Sequence, residues 1–254
     1  MFGLEIWQFW VAVGVTLFAG FVKGAVGFAM PMIMMSVFGS ILPATTALAA
    51  LILPTLVTNI QQAFRQGTGE MVASVHRFRL HIAMVVIFIA VSAAFAQRIP
   101  QAVMYVLLGL PIMGYALWQL AGRSLVIPIH HRARVEAITG IIGGLYGGIS
   151  GIWGPPLIVY LMSIGTEKRE QVRVQGIVFL IGAVTLLVAH LLSGVLNART
   201  LPLSAMLCIP GVIGMMAGFA LQDRLDVVQF RRWTQILLVI SGANLVRRAL
   251  ELWS

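Results

Sequence analysis

The sequence predicts an all-α, polytopic helical membrane protein made of two inverted repeats, and three observations support this fold class. Of the 254 residues, 59% are hydrophobic and only 10% are charged, whereas a soluble domain carries about 25% charged residues. Apolar runs long enough to span a bilayer, roughly 20 residues each, recur from end to end. Glycine-rich stretches recur in both halves, and the alternating pattern of a β-barrel is absent.

Ten apolar segments make up most of the chain, and several are too short to cross a bilayer alone. They are residues 5–22, 28–42, 43–64, 80–97, 101–121, 135–148, 151–165, 174–196, 201–221 and 232–250. The first follows an acidic residue and no basic cluster, which predicts a retained membrane segment rather than a cleaved signal peptide. No linker separates independent domains. We therefore expect one transmembrane transporter domain, 1–254, with repeat 1 over about 1–122 and repeat 2 over about 133–254.

A repeat with an offset of 124 residues runs through the chain. This offset aligns "GFVKGAVGFAMPMI" (20–33) with "GLYGGISGIWGPPL" (144–157), so that three glycines and one proline coincide. Within two residues of the same offset, "FAQRIPQAVMYVLL" aligns with "ALQDRLDVVQFRRW". Each half then contains a glycine-rich broken or re-entrant helix pair followed by three longer spans. Internal repeats of this kind are typical of transporters.

The basic residues are distributed unevenly between the two sets of loops. If each broken pair returns to the side on which it began, each half crosses the membrane three times and the halves are inverted. One set of loops then holds Arg65, Arg77, Arg79, Arg123, Arg132, Arg134, Lys168, Arg169, Arg173, Arg224, Arg231 and Arg232. The other set holds Arg98, Arg199, Arg247 and Arg248. Since basic loops face the cytoplasm, we expect both termini to lie outside it.

The glycine-rich breaks have two interpretations. Glycines spaced as GxxxG let helices pack closely in membranes, and Gly20 with Gly24, like Gly144 with Gly148, has that spacing. Alternatively, the helix unwinds at the break, and a half-helix starts afresh with proline in its first turn. Its free N–H groups and the positive end of its dipole then form an anion site. Because proline recurs in both halves, we favour the anion site near the membrane midplane.

A lysine lies inside the first glycine-rich stretch. Lysine within a membrane segment is energetically costly and usually faces a polar cavity. About 15 apolar residues precede Lys23, so the alternative is that its long side chain reaches the membrane interface. We favour the cavity, where Lys23 would supply a positive charge for an anion. Its counterpart in the second half is Gly147, so only one repeat would contribute this charge.

The sequence resembles the sulfite exporter TauE/SafE family of bacterial membrane permeases. The resemblance is carried by "GFVKGAVGFAMPMI", "GLYGGISGIWGPPLIVYL" and "PATTALAALILPTLVTN", and it covers essentially the whole chain. It implies an inner-membrane transporter of sulfite, an organosulfonate or a related small anion. The paired motif of the family corresponds here to Gly24, Gly27, Pro31, Gly148, Gly151, Pro155 and Pro156. The first copy has Ala25 and Phe28 where more glycine is expected, which leaves open how fully it unwinds.

Further polar and aromatic residues are candidates for contact with the anion. The amides of Asn59 and Gln175 can donate hydrogen bonds to an oxyanion, or can instead join helices to one another. Ser150 and Trp153 lie inside the second break, where either could contact the ligand. His190 lies in an apolar run and could relay a proton, although a packed histidine is the commoner case.

These features predict a transporter of a small anion, most simply an exporter with alternating access. Every acidic residue lies in a loop or at a segment end, which argues against a cation pathway. The expected partners are the anion and the lipid bilayer, with a homo-oligomer left open. Nucleic acid is not expected, since the basic residues are scattered between apolar runs. We expect no catalytic residues, metal or cofactor; the alternatives are an intramembrane enzyme, for which no HExxH or GxSxG motif exists, and a non-transporting scaffold or sensor.

Overall fold

The structure, a computed structural model, describes residues 4–64, 68–123, 126–127, 131–221 and 227–253. Eleven α-helices and no strand are found within these ranges. The helices are α1 Ile6–Val26, α2 Met30–Ile41, α3 Ala44–Phe64, α4 Thr68–Arg77, α5 Arg79–Ala93, α6 Gln101–Leu120, α7 Arg132–Ser150, α8 Gly154–Ser163, α9 Lys168–Leu192, α10 Leu201–Leu221 and α11 Val227–Trp253. The all-α prediction is confirmed.

Five of these helices are long and apolar enough to cross a membrane. They are α1, α3, α6, α10 and the Glu170–Leu192 part of α9. Three shorter apolar helices, α2, α5 and α8, have 10 to 15 residues. Large apolar side chains such as Trp10, Leu192 and Ile209 are exposed on the outside, where lipid would cover them. The chain is therefore a multi-pass helical membrane protein.

The glycine-rich stretches form two helical hairpins. In the first hairpin, α1 and α2 are joined by residues 27–29, and the Gln8 amide near the start of α1 donates to the Ile41 carbonyl at the end of α2 (3.1 Å). In the second hairpin, α7 and α8 are joined by residues 151–153, and Arg132 at the start of α7 donates to the Tyr160 hydroxyl on α8 (3.3 Å). Each half-helix thus folds back along the helix before it. The two breaks, residues 27–29 and 151–153, differ by the 124-residue offset of the repeat.

Each hairpin packs against a helix from the other half of the sequence. A Cβ built on Gly24 of α1 would lie 2.9 Å from the amide nitrogen of Phe219 on α10. A Cβ built on Gly148 of α7 would lie 2.7 Å from the amide nitrogen of Ala93 on α5. Backbone cannot yield as a side chain can, so these positions require glycine. The close-packing interpretation of the GxxxG pairs is therefore correct for α1 with α10 and for α7 with α5.

The polar stretch 65–79, which the sequence presents as an interruption between spans, contains the helix α4. Its Arg77 forms an ion pair with Glu170 of α9 at 2.6 Å. Its buried Ser74 accepts a hydrogen bond from Nε of Arg173 at 3.0 Å. This stretch therefore forms a short amphipathic helix that packs against α9 through polar contacts.

The basic residues of the loops are only partly described. Arg65 and Arg224 lie outside the described residues. Arg248, counted above among the charges on the less basic side, is partly buried and donates to the carbonyl oxygens of Gly39 and Leu42 at the end of α2. Its guanidinium also lies 4.7 Å from the centre of the Tyr105 ring. Arg248 therefore stabilises the C-terminal end of the first half-helix, where carbonyl groups lack partners and a cation is favourable.

We expect Arg248→Met to lower the free energy of unfolding by about 1–2 kcal/mol, because charged hydrogen bonds at a helix end contribute that much. The neighbouring Arg247 is the matched control. It is exposed and pairs with Glu251 within α11, and such surface pairs contribute little. Thermal unfolding in detergent measures both variants. Equal melting temperatures for Arg248→Met and Arg247→Met would contradict the stabilising role of Arg248.

Candidate functional site

The two breaks end their helices by the same backbone conformation. Gly27 and Gly151, which follow α1 and α7, have φ of 89° and 73°. This left-handed conformation favours glycine, and each amide closes the preceding helix by donating to the carbonyl four residues earlier (2.7 Å in both). In the first break Ala29 is also left-handed, with φ of 79°, which is uncommon for a residue with a side chain. The first half thus breaks as fully as the second, although it has fewer glycines.

The two breaks lie at one small, mostly apolar cavity. Its lining comes from both hairpins and from α3 and α9: Lys23, Phe28, Ala29, Pro31, Met32, Thr55, Asn59, Gly151, Ile152, Trp153, Gly154, Pro155 and Phe179. Thr55 is next to the central residue of α3, so the cavity lies near the middle of that helix. Its volume is about 30 Å³, space for one or two water molecules. Binding of any larger ligand therefore requires the two hairpins to separate.

Lys23 is buried beside this cavity and is bonded to neutral partners. Only 2% of the residue is exposed. Its ammonium group donates to the hydroxyl of Thr58 at 2.9 Å and to the side-chain oxygen of Asn59. No carboxylate lies within ion-pair distance of Lys23 in the described part of the chain. The side-chain nitrogen of Lys23 is therefore held at the cavity by two neutral groups, and no carboxylate among the described residues is placed to balance a charge on it.

Other polar groups at the cavity have hydrogen-bonding capacity left. The hydroxyl of Thr55 and the indole N–H of Trp153 are both buried without a partner among the described residues. The indole packs against α9 at Gly182, where a Cβ would lie 2.7 Å from its nitrogen. Asn59, in contrast, is held in place, since its amide donates to the carbonyl of Phe179 at 2.9 Å. Buried donors usually have a partner, so Thr55 and Trp153 retain hydrogen-bonding capacity that the described residues do not use.

The half-helices α2 and α8 begin at the cavity with prolines. Pro31 occupies the second position of α2, and Pro155 and Pro156 follow Gly154 in α8. Proline has no N–H, so it costs no hydrogen bond in a first turn. The amides of Met32 and Gly154, both in the lining, are among the few first-turn donors that remain. Both half-helices therefore direct the positive end of their dipoles toward the cavity.

Six of the predicted site residues line the cavity and five do not. Those in the lining are Lys23, Pro31, Asn59, Gly151, Trp153 and Pro155. Those outside it are Gly24, Gly27, Gly148, Ser150 and Gln175. Gly24 and Gly148 lie at helix crossings, and Gly27 forms the turn of the first break.

Ser150 and Gln175 lie outside the cavity lining, next to the breaks. The Ser150 hydroxyl donates to the carbonyl of Tyr146 (2.6 Å) and accepts the N–H of Ile152 (3.0 Å). It therefore stabilises the end of α7. The side-chain oxygen of Gln175 lies 3.8 Å from the position that a Cβ on Gly27 would occupy, so Gln175 lies beside the first break.

Sequence reasoning named Asn59 but missed Thr55 of the cavity lining and the adjacent Thr58, although α3 carries a signal for both. Thr55, Thr58, Asn59 and Gln62 are spaced i, i+3, i+4 and i+7 in an otherwise apolar helix. That spacing places them on one face. All four are buried, and Gln62 donates to the carbonyl of Gly27 in the first break at 2.9 Å. This polar stripe of α3 faces the breaks and could have been recognised from its spacing.

A family model described as sulfite exporter TauE/SafE matches residues 12–245. The chain belongs to this family. The match extends over both breaks and the whole cavity lining. Comparison with curated proteins and with solved structures gives no match.

Membership in the TauE/SafE family implies transport of an anion across a membrane, and the description of the family names sulfite. Members of the TauE/SafE family are transporters rather than enzymes. In the described ranges, no three His, Cys, Asp or Glu side chains are grouped so that they could hold a metal ion. At the cavity, the described residues offer one lysine side chain, hydrogen-bond donors and two helix N-termini.

Proposed function

We propose that this chain exports a small anion across the cell inner membrane by alternating access, holding the anion in the cavity between the two breaks. The proposal rests above all on one observation: an unbalanced buried ammonium group lies where the N-termini of two half-helices meet. The substrate would be sulfite, an organosulfonate or a related oxyanion or carboxylate. In a cell that is negative inside, export of a single charge is downhill by about 2.3 kcal/mol per 100 mV.

The transport cycle follows from the arrangement of the helices. The cavity is too small for an oxyanion as it stands, so the anion would enter when one hairpin moves relative to the other. We propose that the hairpins belong to two inverted repeats and that both termini lie outside the cytoplasm. Rocking of one repeat against the other would then expose the cavity to each side in turn.

The experiment that tests this function is thermal unfolding of the detergent-purified protein with a panel of anions. The panel contains sulfite, sulfate, thiosulfate, taurine, sulfoacetate, an aromatic sulfonate, acetate and chloride. A ligand at 100 times its Kd stabilises the folded state by about 2.7 kcal/mol. Selective stabilisation by one anion, followed by uptake of that anion into proteoliposomes, is the expected result. Absence of both stabilisation and flux for every anion in the panel would contradict the proposal.

The charge of the site further predicts a preference for monoanions. Among the described residues, Lys23 is the one cation in the cavity lining, and a dianion would leave one buried negative charge unbalanced, which is unfavourable. Methanesulfonate and sulfate are a matched pair, since both are tetrahedral at sulfur and differ by a methyl group in place of one charged oxygen. We expect methanesulfonate to raise the melting temperature more than sulfate, because Phe28, Met32 and Phe179 can contact the methyl group. Greater stabilisation by sulfate would contradict this preference while leaving anion transport intact.

A further inference from the structure

A second buried polar cluster lies away from the cavity, where α5, α7 and α8 meet. Its centre is Glu136, which is 6% exposed. One carboxylate oxygen accepts the backbone N–H of His81 at 3.1 Å, and the other accepts the hydroxyl of Tyr160 at 3.0 Å. His81 is the third residue of α5, so the carboxylate also lies at a helix N-terminus, where a negative charge is favourable. The sequence places Glu136 near a segment end, but Tyr160 of α8 covers it.

The hydrogen bonds of His81 determine which ring nitrogen carries the proton. Nδ1 lies 3.3 Å from the carbonyl oxygen of Glu136 and 3.3 Å from the hydroxyl oxygen of Thr139. A carbonyl can only accept, and the Thr139 hydroxyl donates to the carbonyl of Val135 at 2.8 Å. Nδ1 must therefore be the protonated nitrogen. Nε2 is then a basic acceptor, and it is buried with no partner among the described residues.

Helix packing alone does not account for this cluster. The 124-residue offset relates the α5–α7 pair to the α10–α1 pair of the other half. At the corresponding positions that pair has Ala12 for Glu136 and Ala205 for His81, while Ser36 on α2 corresponds to Tyr160. The same kind of helix crossing thus forms without a carboxylate or an imidazole. Ionisable residues within membrane segments usually have a functional role.

The cluster is connected to the cavity through α8. Tyr160 follows Gly154 of the cavity lining by six residues, which is about 9 Å along a helix. The hydrogen bond from Tyr160 to Glu136 therefore fixes the same half-helix whose N-terminus reaches the anion site. Any motion of α8 that opens the cavity also changes the surroundings of Glu136 and His81.

We propose that His81, Glu136 and Tyr160 form a proton-binding site that couples proton movement to anion transport. This inference rests on the proposed function of the cavity. A proton from water binds Nε2 of His81, and the carboxylate of Glu136 supplies the countercharge that a buried imidazolium needs. The proton binds when water reaches the cluster and leaves when the helices close over it. A ligand bound more tightly by one arrangement shifts the population toward that arrangement. Proton binding therefore shifts α8 toward the position in which water reaches the cluster.

Other charged and titratable groups on the surrounding helices are engaged or exposed. Arg132 of α7 donates to the Tyr160 oxygen at 3.3 Å, while Arg77 of α4 and Glu170 of α9 pair with each other at 2.6 Å. Arg173 of α9 bonds to Ser74. The side chains of Arg79, Arg134 and His76 are exposed. The groups that remain to exchange a proton inside the cluster are therefore His81, Glu136 and Tyr160.

Nitrogen NMR of the full-length, ¹⁵N-histidine-labelled protein in nanodiscs tests proton binding without any anion. His81→Gln assigns the His81 signals. His190 is the internal control, because both of its ring nitrogens have partners: Nε2 lies 2.8 Å from the Gly148 carbonyl and Nδ1 lies 3.2 Å from the Ser193 hydroxyl. We expect His81 Nε2 to become protonated between about pH 8 and pH 4, the lower end being included because burial disfavours the imidazolium. We expect His190 to stay neutral and Glu136→Gln to abolish the protonated His81 signal. A neutral His81 throughout that range, or a titration unaffected by Glu136→Gln, would overturn the site.

Coupling is tested separately, by anion uptake into proteoliposomes at a series of pH values, with methanesulfonate as the probe because it does not itself titrate in this range. Tyr160→Phe removes only the hydroxyl that joins α8 to Glu136. We expect it to leave the His81 titration intact but to remove the pH dependence of uptake, as His81→Gln also would. Wild-type pH dependence in both variants would overturn the coupling. Absence of methanesulfonate uptake at every pH would also overturn coupling to this anion. If none of the anions in the panel is bound or transported either, the proposed function of the cavity fails as well. The NMR titration tests the proton site independently of both results.

Discussion

Lys23→Met is expected to weaken anion binding roughly 30- to 100-fold while the protein stays folded. A hydrogen bond to a charged group is worth about 2–2.7 kcal/mol, which corresponds to that loss in affinity. Because Lys23 is buried without a carboxylate partner in the described ranges, its replacement by an apolar side chain of similar length also removes a desolvated charge. We therefore expect a melting temperature equal to or above that of the wild type.

The measurement is a titration of the stabilising anion against the melting temperature of each variant. Thr16→Val is the matched control, since Thr16 is a fully buried polar residue of α1 whose hydroxyl donates to the carbonyl of Ala12 at 2.7 Å, away from the cavity. The control should bind the anion as the wild type does. Wild-type anion affinity and uptake in Lys23→Met would remove Lys23 from the site.

The second large effect is a loss of stability, expected when Gly24 is replaced by alanine at the crossing of α1 and α10. Gly24→Ala places a Cβ 2.9 Å from the Phe219 nitrogen and 3.0 Å from the Cα of Gly218. Overpacking of this kind lowers the free energy of unfolding by about 1–3 kcal/mol. We expect the upper end of that range, because the new methyl group meets backbone atoms, which cannot move aside. We expect a clear fall in melting temperature and in the yield of monodisperse protein.

Gly14→Ala is the control on the same helix. Gly14 is exposed, and no atom of another described helix lies within 4 Å of a Cβ built there. Alanine inside a helix is favoured over glycine by about 0.5–1 kcal/mol, so this variant should be as stable as the wild type or more so. Equal destabilisation by both substitutions would contradict the close contact between α1 and α10.

The sequence alone predicts the helical class and the approximate position of both breaks. Glycine ends a helix and proline begins the next one through local backbone preferences, which do not depend on the rest of the fold. It does not predict where α1 ends. The first apolar segment stops at residue 22 by hydropathy, yet the helix continues to Val26. The ammonium group of Lys23 is accepted inside it because Thr58 and Asn59 bind that group from α3. That contact depends on the packing of another helix, which local sequence does not specify.

The roles of individual glycines could not be separated for a similar reason. Gly24 and Gly27 lie in one motif, but Gly24 packs against α10 and Gly27 forms the left-handed turn. The partner of Gly24 is almost 200 residues away, and periodicity does not show which helices are neighbours. Likewise, His190 and His81 both lie in apolar runs, and the sequence does not show which of them has a charged neighbour. The distinguishing feature is the buried carboxylate of Glu136, which depends on the fold.

Each hairpin packs against a helix from the other half of the sequence, and this arrangement sets the order in which the helices can pack during synthesis. The last residue of α5 precedes the first residue of α7 by 39 positions, whereas α1 ends 175 residues before α10 begins. At about 5–20 residues per second, α1 waits roughly 10–35 s for α10, with its packing glycines Gly20 and Gly24 uncovered. The α5–α7 pair therefore forms first. The helix α1 is synthesised first but is the last to meet its packing partner. A nascent chain interrupted before α10 would leave α1 unpartnered, a state that the insertion machinery would have to hold or a protease would remove.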